Sequence, residues 1–170
     1  MTPFAIRTYR PEDLPSVLRL TVEGFDGVSI DRDIERDFGP VAGRTWAERK
    51  SREVALECEA HPEGVFVAEA GGEVIGYVTT RLDAFSGIGR IPNLAVAAAR
   101  RRMGVGTALI RHALGWMRGR GMAMAKIETL AQNERGQRLY PRLGFREVSR
   151  QIHYVLPLTD EPPAADGAEQ

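Results

Sequence analysis

The chain has 170 residues, of which 43% are hydrophobic, 27% charged and 7% aromatic, and its 23 basic and 23 acidic side chains give a net charge of zero. This composition is typical of one globular domain and excludes a fibrous or wholly disordered chain. No apolar run approaches the length of about 18 residues that a membrane-spanning helix needs. The single cysteine, Cys58, excludes an internal disulfide and a cysteine-based zinc cluster. Charged residues near the N-terminus argue against a secretory signal, so we expect a cytoplasmic protein.

The charges are unevenly distributed along the chain. Between Glu12 and Glu73 there are 15 acidic and 7 basic residues, whereas between Ala97 and Lys126 there are 7 basic residues and no acidic one. The basic block indicates a local anion site, and the zero net charge argues against a general nucleic-acid binder. Because no apolar run is long enough to span a membrane, we expect no membrane partner. The alternative is that both blocks are solvated faces.

Hydrophobic periodicity and turn residues predict alternating strands and helices. In the first half they predict a strand over residues 4–9, a helix beginning near Pro11, a long loop with at most one helical turn over 24–43, a helix over 45–60, and two strands, 64–70 and 73–80, joined by Gly71 and Gly72. In the second half they predict a strand over 88–96, a helix over 104–119, a strand over 122–130, a helix over 133–143 and one or two strands over 145–156.

The strand–helix–strand order between residues 91 and 130 implies a parallel strand pair, whereas the hairpin implies antiparallel neighbours. We therefore expect an α/β fold with a central mixed, mostly antiparallel sheet and helices on both faces. Residues 1–158 should form a single domain. The polar, proline-containing tail, residues 159–170, should be disordered.

A glycine-rich turn, Arg100-Arg-Arg-Met-Gly-Val-Gly-Thr107, connects the strand that ends at Val96 to the following helix. Free amides and the dipole at the start of a helix bind anions, and Gly104 and Gly106 have no Cβ to keep an anion away. The spacing does not fit a P-loop, and Leu109 stands where a dinucleotide fingerprint needs its third glycine. By itself, the Gly-x-Gly pair is equally compatible with a purely structural turn.

Two motifs resemble those of the GCN5-related N-acetyltransferase family. Arg101-x-x-Gly104-x-Gly106, which follows Asn93-Leu-Ala-Val96, is similar to the acetyl-CoA signature Gln/Arg-x-x-Gly-x-Gly/Ala. Asn133 followed by Leu139-Tyr140-Pro-Arg-Leu-Gly144-Phe145 is similar to the family block Asn-(x)n-Leu-Tyr-x-x-x-Gly-Phe. The chain departs from the family pattern at the ends of the turn, at Ala98, Arg102 and Met103.

The resemblance implies a splayed parallel strand pair and acetyl-CoA as co-substrate, without a metal. The pyrophosphate would lie on the turn, and the pantetheine arm would pair with the strand Leu94–Val96, where an amide polarises the thioester carbonyl. Asn133 would bond the other side of the arm, cap its own helix, or do both. The implied cofactor-binding residues are Leu94, Ala95, Val96, Arg101, Arg102, Met103, Gly104, Val105, Gly106, Thr107, Asn133 and Tyr140.

The resemblance also implies direct transfer of the acetyl group to a primary amine in a ternary complex. Tyr140 matches the phenol that protonates the departing thiolate, although a core tyrosine is the alternative. Glu128 matches a glutamate base of some members, and burial in a central strand would make its carboxylate more basic. A purely hydrogen-bonding Glu128 or a water relay is the alternative, and the weaker base candidates are Glu23, Asp26, Glu69 and Asp83.

The sequence leaves the acceptor open between a small-molecule amine and the N-terminus of a peptide or protein. The segment after the first helix carries six acidic residues that would attract a cationic amine, unless they belong to a solvated loop: Glu23, Asp26, Asp31, Asp33, Glu35 and Asp37. The alternative function is a catalytically silent acyl-CoA-binding or regulatory domain. Because dimers are common among proteins that resemble this one, a homodimer is also expected.

Overall fold

The structure, a computed structural model, describes residues 3–158. Its helices are α1 (Leu14–Phe25), α2 (Ile30–Phe38), α3 (Trp46–Ala60), α4 (Val105–Gly119) and α5 (Glu134–Arg142). Its strands are β1 (Ala5–Thr8), β2 (Val65–Ala70), β3 (Glu73–Thr79), β4 (Arg81–Asp83), β5 (Ile88–Ile91), β6 (Leu94–Val96) and β7 (Met124–Ile127). The expected disordered tail, residues 159–170, lies outside the described residues.

The strands form two sheets. The first has the order β1-β2-β3-β6 and is antiparallel, and the second has the order β4-β5-β7, in which β5 and β7 are parallel. On one face of the first sheet, residues of α1 and α3 pack in a core around Tyr77. On its other face, residues of α4 pack in a core around Leu109. The expected fold class, a mixed and mostly antiparallel α/β fold with one parallel pair, is confirmed.

The predicted strand over residues 88–96 is two strands in different sheets. Pro92 has no N–H to continue the ladder, and the carbonyl of Asn93 instead accepts a hydrogen bond from the Thr79 amide, at 2.9 Å. The chain therefore leaves β7 after Ile91 and joins β3 from Leu94 onward. This change of sheet opens a gap between β6 and the chain that follows β7.

The long loop predicted over residues 24–43 is wrong, because nine of these residues form α2. The helix is held by α3: the Arg49 guanidinium lies 3.1 Å from the Asp31 carboxylate and 3.8 Å from that of Glu35. The glycines on either side of α2 suggested a loop, whereas ion pairs to a helix much later in the chain stabilise helical structure there.

The last predicted strands, over residues 145–156, are also wrong. Residues 146–158 have no regular structure, and their only described polar contact is the local pair between Arg150 and Glu147, at 2.8 Å. A strand pattern forms a strand only beside a partner edge, and within the described residues this segment is paired with none. The short strand β4 was not predicted.

Among residues 3–158, no helix has the length and apolar character needed to cross a membrane.

Candidate active site

The glycine-rich turn lies between β6 and α4. Gly104 has a φ of 82°, and a Cβ added there would meet nothing within 4 Å, so backbone conformation rather than space selects glycine. Within the described part of the chain, the amides of Val105, Gly106 and Thr107 donate to no other residue. These are the orphan donors of a helix start, and they are available to an anion.

Arg102, where the family pattern has glycine, adopts the left-handed conformation with a φ of 63°. A side chain in this region is strained by roughly 1–2 kcal/mol, which glycine avoids. The departure from the family pattern therefore adds a positive charge to the turn and strains its backbone.

The strand β6 has one free edge. One edge pairs with β3, where Leu94 lies opposite Val78 and Val96 lies opposite Gly76. The other edge faces the gap to β7, because the pairing of β5 with β7 ends at Ile91. An extended polar chain can add to such an edge as a strand does. The free edge beside the free amides of α4 fits an arm that ends in a pyrophosphate, as in acetyl-CoA.

Asn133 caps α5 and also reaches back toward β7. Its Oδ1 accepts a hydrogen bond from the Gly136 amide at 3.2 Å, and its Nδ2 donates to Thr129 Oγ1 at 2.8 Å. The expected capping role is confirmed. Gly136 and Thr129 were missed by the sequence reasoning, although the pattern Asn-x-x-Gly at a helix start is a signal for the first of them.

Tyr140 lies half-buried on α5, with its ring centroid 6.1 Å from that of Phe145. Burial raises the pKa of the Tyr140 phenol, and a hydrogen bond with the Thr129 side chain partly offsets that effect. The phenol therefore keeps its proton at neutral pH. Helix α5 packs against the glycine-rich turn at the start of α4: Leu139 Cδ2 lies 3.9 Å from the position that a Cβ on Gly106 would occupy.

The expected burial of Glu128 in a central strand is wrong. β7 ends at Ile127, and the Glu128 side chain is 66% exposed and lies 2.5 Å from the Lys126 ammonium. The reason is the departure of β5 at Pro92, which leaves the residues after Ile127 without a partner strand. The burial on which the expected role of Glu128 as a base depended is therefore absent.

Glu128 nevertheless faces a small cavity at the point where the sheets diverge. The cavity has a volume of about 180 Å³ and is lined by side chains of both charges: Glu53, Glu57, Arg81, Arg90, Ile91, Pro92, Lys126 and Glu128. It lies on the α3 side of the gap, since Ala125 and Ile127, which alternate with Lys126 and Glu128, pack with the core on the α4 side. The cavity brings Glu128 together with Ile91 and Pro92, which come just before β6 begins at Leu94.

The acidic segment after α1 is largely compensated by arginines. Arg32, Arg36 and Arg49 pair with its carboxylates, and the Glu23 carboxylate accepts a hydrogen bond from the Ala98 amide, two residues after β6 ends. Asp26 and Asp33 line an open cleft of about 510 Å³ beside Gln132. The segment is therefore not a bare acidic surface.

The other base candidates have structural partners. Glu69 lies 2.7 Å from Arg7, and the Asp83 side chain accepts hydrogen bonds from the amides of Phe85 and Ser86. Among the described residues no three His, Cys, Asp or Glu side chains are grouped so that they could hold a metal ion. His112 stacks edge-on against Phe66 at 4.5 Å.

Comparison with known proteins identifies the fold and the family. The chain is 36% identical over 100 residues to an N-alpha-acetyltransferase of Sulfurisphaera tokodaii, covering 52% of this chain and 60% of the relative. It is 31% identical over 155 residues to a mycothiol acetyltransferase of Streptomyces bingchenggensis, covering 88% of this chain and 45% of the relative. The chain thus spans about half the length of these curated relatives.

Its fold is similar to that of the PaiA N-acetyltransferase from Thermoplasma acidophilum, which was solved in complex with coenzyme A. The TM-score is 0.72 at 18% identity, over 88% of this chain and 93% of the other. The family model of the acetyltransferase (GNAT) family matches residues 29–145, a range that contains the turn, β6, β7 and α5. The chain belongs to the GNAT acetyltransferase family.

Proposed function

We propose that this protein is an acetyl-CoA-dependent N-acetyltransferase that transfers the acetyl group directly to a primary amine. The observation that carries the proposal is the free edge of β6, which leads to the free amides of Val105, Gly106 and Thr107 at the start of α4. The names of the two curated relatives, both acetyltransferases, also support it.

The turn and β6 supply the binding of acetyl-CoA in this proposal. Residues 101–107 hold the pyrophosphate through amides and arginine charge, and Leu94, Ala95 and Val96 pair with the pantetheine arm. Asn133 bonds the other side of the arm while it caps α5, because an Asn side chain has more than one polar group to offer.

In the proposed reaction the amine nitrogen forms a bond to the thioester carbonyl carbon and the carbon–sulfur bond breaks. Tyr140 gives its phenolic proton to the departing thiolate, a role that its half-buried position supports because burial raises the pKa of the phenol. Glu128, or a water beside it, takes the proton that the amine loses. The exposure of Glu128 favours a solvent-connected proton path over a buried base.

We propose the cavity beside Glu128 as the entrance for the acceptor, which is a small-molecule amine or a peptide or protein N-terminus. The volume of about 180 Å³ suits an amino group with a short substituent. The relatives differ on this point, since one is named for N-alpha-acetylation and the other for mycothiol.

Calorimetric titration with acetyl-CoA, followed by thiol release with a panel of small amines and peptides, tests the proposed function. Binding with thiol release that depends on one class of amine supports the enzyme. Binding without release from any amine indicates the catalytically silent acyl-CoA-binding domain instead, and absence of binding at high micromolar acetyl-CoA overturns both.

We further propose that the protein is a homodimer in which residues 146–158 of each copy add to the free outer edge of β7 in the other. In support, β7 is the last strand of its sheet, and every second residue from 148 to 158 except Arg150 is large, apolar and exposed: Val148, Ile152, Tyr154, Leu156 and Leu158. Val155, on the opposite face, is less exposed than these five. A free strand edge and an unpaired strand pattern in one chain are complementary in a two-fold pair.

Light scattering on the full chain tests the dimer. Ile152→Asp should shift the mass to that of a monomer, whereas Gln151→Asp, which adds the same charge on the opposite face of the segment, should leave it unchanged. A wild-type monomer would refute the proposal.

We propose a cytoplasmic location and a single domain over residues 1–158, supported by the globular composition and by Cys58 being a single, free cysteine.

A further inference from the structure

A buried carboxylate on α3 lies outside the residues that the sequence motifs single out. The Glu57 side chain is 4% exposed, and its Oε2 accepts hydrogen bonds from the Thr79 hydroxyl at 2.9 Å and from the Asn93 side-chain amide at 2.5 Å. Its Oε1 lies 2.5 Å from the guanidinium of Arg81. Burial of a carboxylate is strongly unfavourable unless such partners compensate it, and these three contacts hold the Glu57 side chain in one position.

The partners of Glu57 mark two of the places where the chain passes from one sheet to the other. Thr79 ends β3 and Arg81 begins β4, so this crossing leads from the first sheet to the second. Asn93 stands between β5 and β6, where the chain crosses back. Glu57 therefore fastens both crossings to one point on α3.

Asn93 uses only the donor group of its side-chain amide in hydrogen bonds with the described residues. The Asn93 side chain is 1% exposed. Its Nδ2 donates one hydrogen bond to Glu57 and another, of 3.1 Å, to Thr79 Oγ1. Its Oδ1 has no hydrogen-bond partner among the described residues. A buried amide oxygen without a partner is unfavourable. The side chain is kept in this orientation because the opposite one would turn its oxygen toward the Glu57 carboxylate.

The position of Asn93 sets the position of β6. Leu94 follows it directly, and the free edge of Leu94–Val96 is the edge that the proposed function assigns to the acyl arm. Amides that polarise a carbonyl act over a narrow range of distance and angle, so a displacement on the order of 1 Å lowers the rate strongly.

We propose that Glu57 is a positioning residue for acetyl transfer, which holds Asn93 and thereby aims the amides of β6 at the thioester carbonyl of acetyl-CoA. The inference rests on the proposed function. It assigns Glu57 no proton transfer, because Oε2 is held by two hydrogen-bond donors and Oε1, which accepts no hydrogen bond from the described residues, is ion-paired with Arg81.

The first test compares Glu57→Ala with Val54→Ala, a truncation of a fully buried side chain on the same helix that lies in the apolar core. Both should unfold at lower temperature than wild type. At a temperature where both are folded, Glu57→Ala should lower kcat roughly 10-fold to 100-fold and change the Kd for acetyl-CoA less than about 3-fold. The Val54 variant should keep the wild-type kcat. Equal kcat in the two variants would overturn the proposal.

The second test is spectroscopic and needs no acceptor. The infrared band of bound acetyl-CoA labelled with ¹³C at the thioester carbonyl reports how strongly that carbonyl is polarised. We expect the band to move toward its position in free acetyl-CoA in Glu57→Ala and not in Val54→Ala. An unchanged band in the Glu57 variant would overturn the proposal even if no amine supports turnover, whereas wild-type protein that binds no acetyl-CoA removes the proposed function and this inference together.

An exchange of partners gives a third measurement that keeps the proposal testable if Glu57→Ala fails to fold. In the double variant Glu57→Gln with Asn93→Asp, the amide donates from residue 57 and the carboxylate accepts at residue 93. We expect its kcat and carbonyl band to lie closer to wild type than those of either single variant, as a coupled pair requires. Additive losses would show that the contact between the two side chains has no part in positioning β6.

Discussion

The Asn133 side-chain amide donates a hydrogen bond of 2.8 Å to Thr129 Oγ1, which joins the start of α5 to the chain that follows β7. The same hydroxyl and the Tyr140 ring both lie beside Gly136, since a Cβ there would be 3.0 Å from Thr129 Oγ1 and 3.0 Å from Tyr140 Cε2. Thr129 thus stands next to both residues of the second motif that are assigned to the acyl arm and the leaving thiolate. Changes near Thr129 should act on both.

Gly136→Ala should distort this cluster. A Cβ at residue 136 would lie 3.0 Å from Asn133 Nδ2, 3.0 Å from Thr129 Oγ1 and 3.0 Å from Tyr140 Cε2. Alanine in a helix normally stabilises by roughly 0.5–1 kcal/mol relative to glycine, whereas overpacking at three contacts destabilises by about 1–3 kcal/mol. We expect urea unfolding to show a net loss of stability and thiol release to slow.

Gly115→Ala is the control for that substitution. Gly115 lies in α4, and a Cβ there would meet nothing within 4 Å. Its replacement should therefore stabilise the protein by the ordinary helical increment of roughly 0.5–1 kcal/mol. A shift of the same sign in both variants would contradict the crowding at Gly136.

Tyr140→Phe should lower kcat without weakening acetyl-CoA binding. Because burial raises the pKa of the phenol above its ordinary value near 10, the proton needed by the thiolate is present throughout the neutral and mildly alkaline range. Loss of a general acid typically lowers the rate about 10²-fold to 10⁴-fold. Steady-state rates from pH 6 to about 10 should show the loss across the whole range, while the Kd from calorimetry stays unchanged.

Tyr9→Phe removes a buried phenol from the core on the other face of the sheet and serves as the comparison. It should keep the wild-type kcat at every pH. Equal rates for Tyr140→Phe and wild type across the series would remove Tyr140 from the reaction.

Gly104→Ala should weaken the binding of acetyl-CoA. Gly104 has a φ of 82°, so alanine there strains the turn by roughly 1–2 kcal/mol and shifts the amides of α4 away from the pyrophosphate. Gly121, with a φ of 80° at the other end of the same helix, gives a matched variant of similar strain. Both alanine variants should lose similar stability, but only the first should raise the Kd for acetyl-CoA. Equal Kd values would indicate a purely structural turn.

Asp13 should make the protein sensitive to acid. Its carboxylate is 5% exposed and lies 2.7 Å from Arg7, and this hydrogen-bonded pair lowers the pKa of Asp13 below its ordinary value of 3.8. A depressed folded-state pKa contributes stability at pH values above the unfolded pKa, and that stability is lost as the pH falls through the folded value. Urea unfolding from pH 7 to about 2 should therefore show a decline below about pH 4.

Asp13→Asn should reduce the decline below pH 4, whereas Asp37→Asn should leave it in place. Asp37 is paired with Arg36, and its pKa is also lowered, but both side chains are exposed and solvent screens the pair. An Asp13→Asn variant with the same acid profile as wild type would contradict the role of the buried pair.

The sequence by itself determined the family and the position of the anion-binding turn. Both depend on neighbours along the chain: free amides at the start of a helix, Gly104 and Gly106 without Cβ atoms, and an Asn cap follow from a few consecutive residues. The hairpin at Gly71 and Gly72 and the parallel pair around α4 could be predicted for the same reason, since local patterns and short connections define them.

Only the tertiary structure decided which charged groups are buried and where strands end. Glu128 is exposed because β5 leaves β7 at Pro92, and α2 is a helix because Arg49 holds it. Glu57 gave no signal in the sequence because its partners, Thr79 and Asn93, lie 22 and 36 residues away. Burial and partnership of a side chain are properties of distant chain segments brought together, and no local pattern contains them.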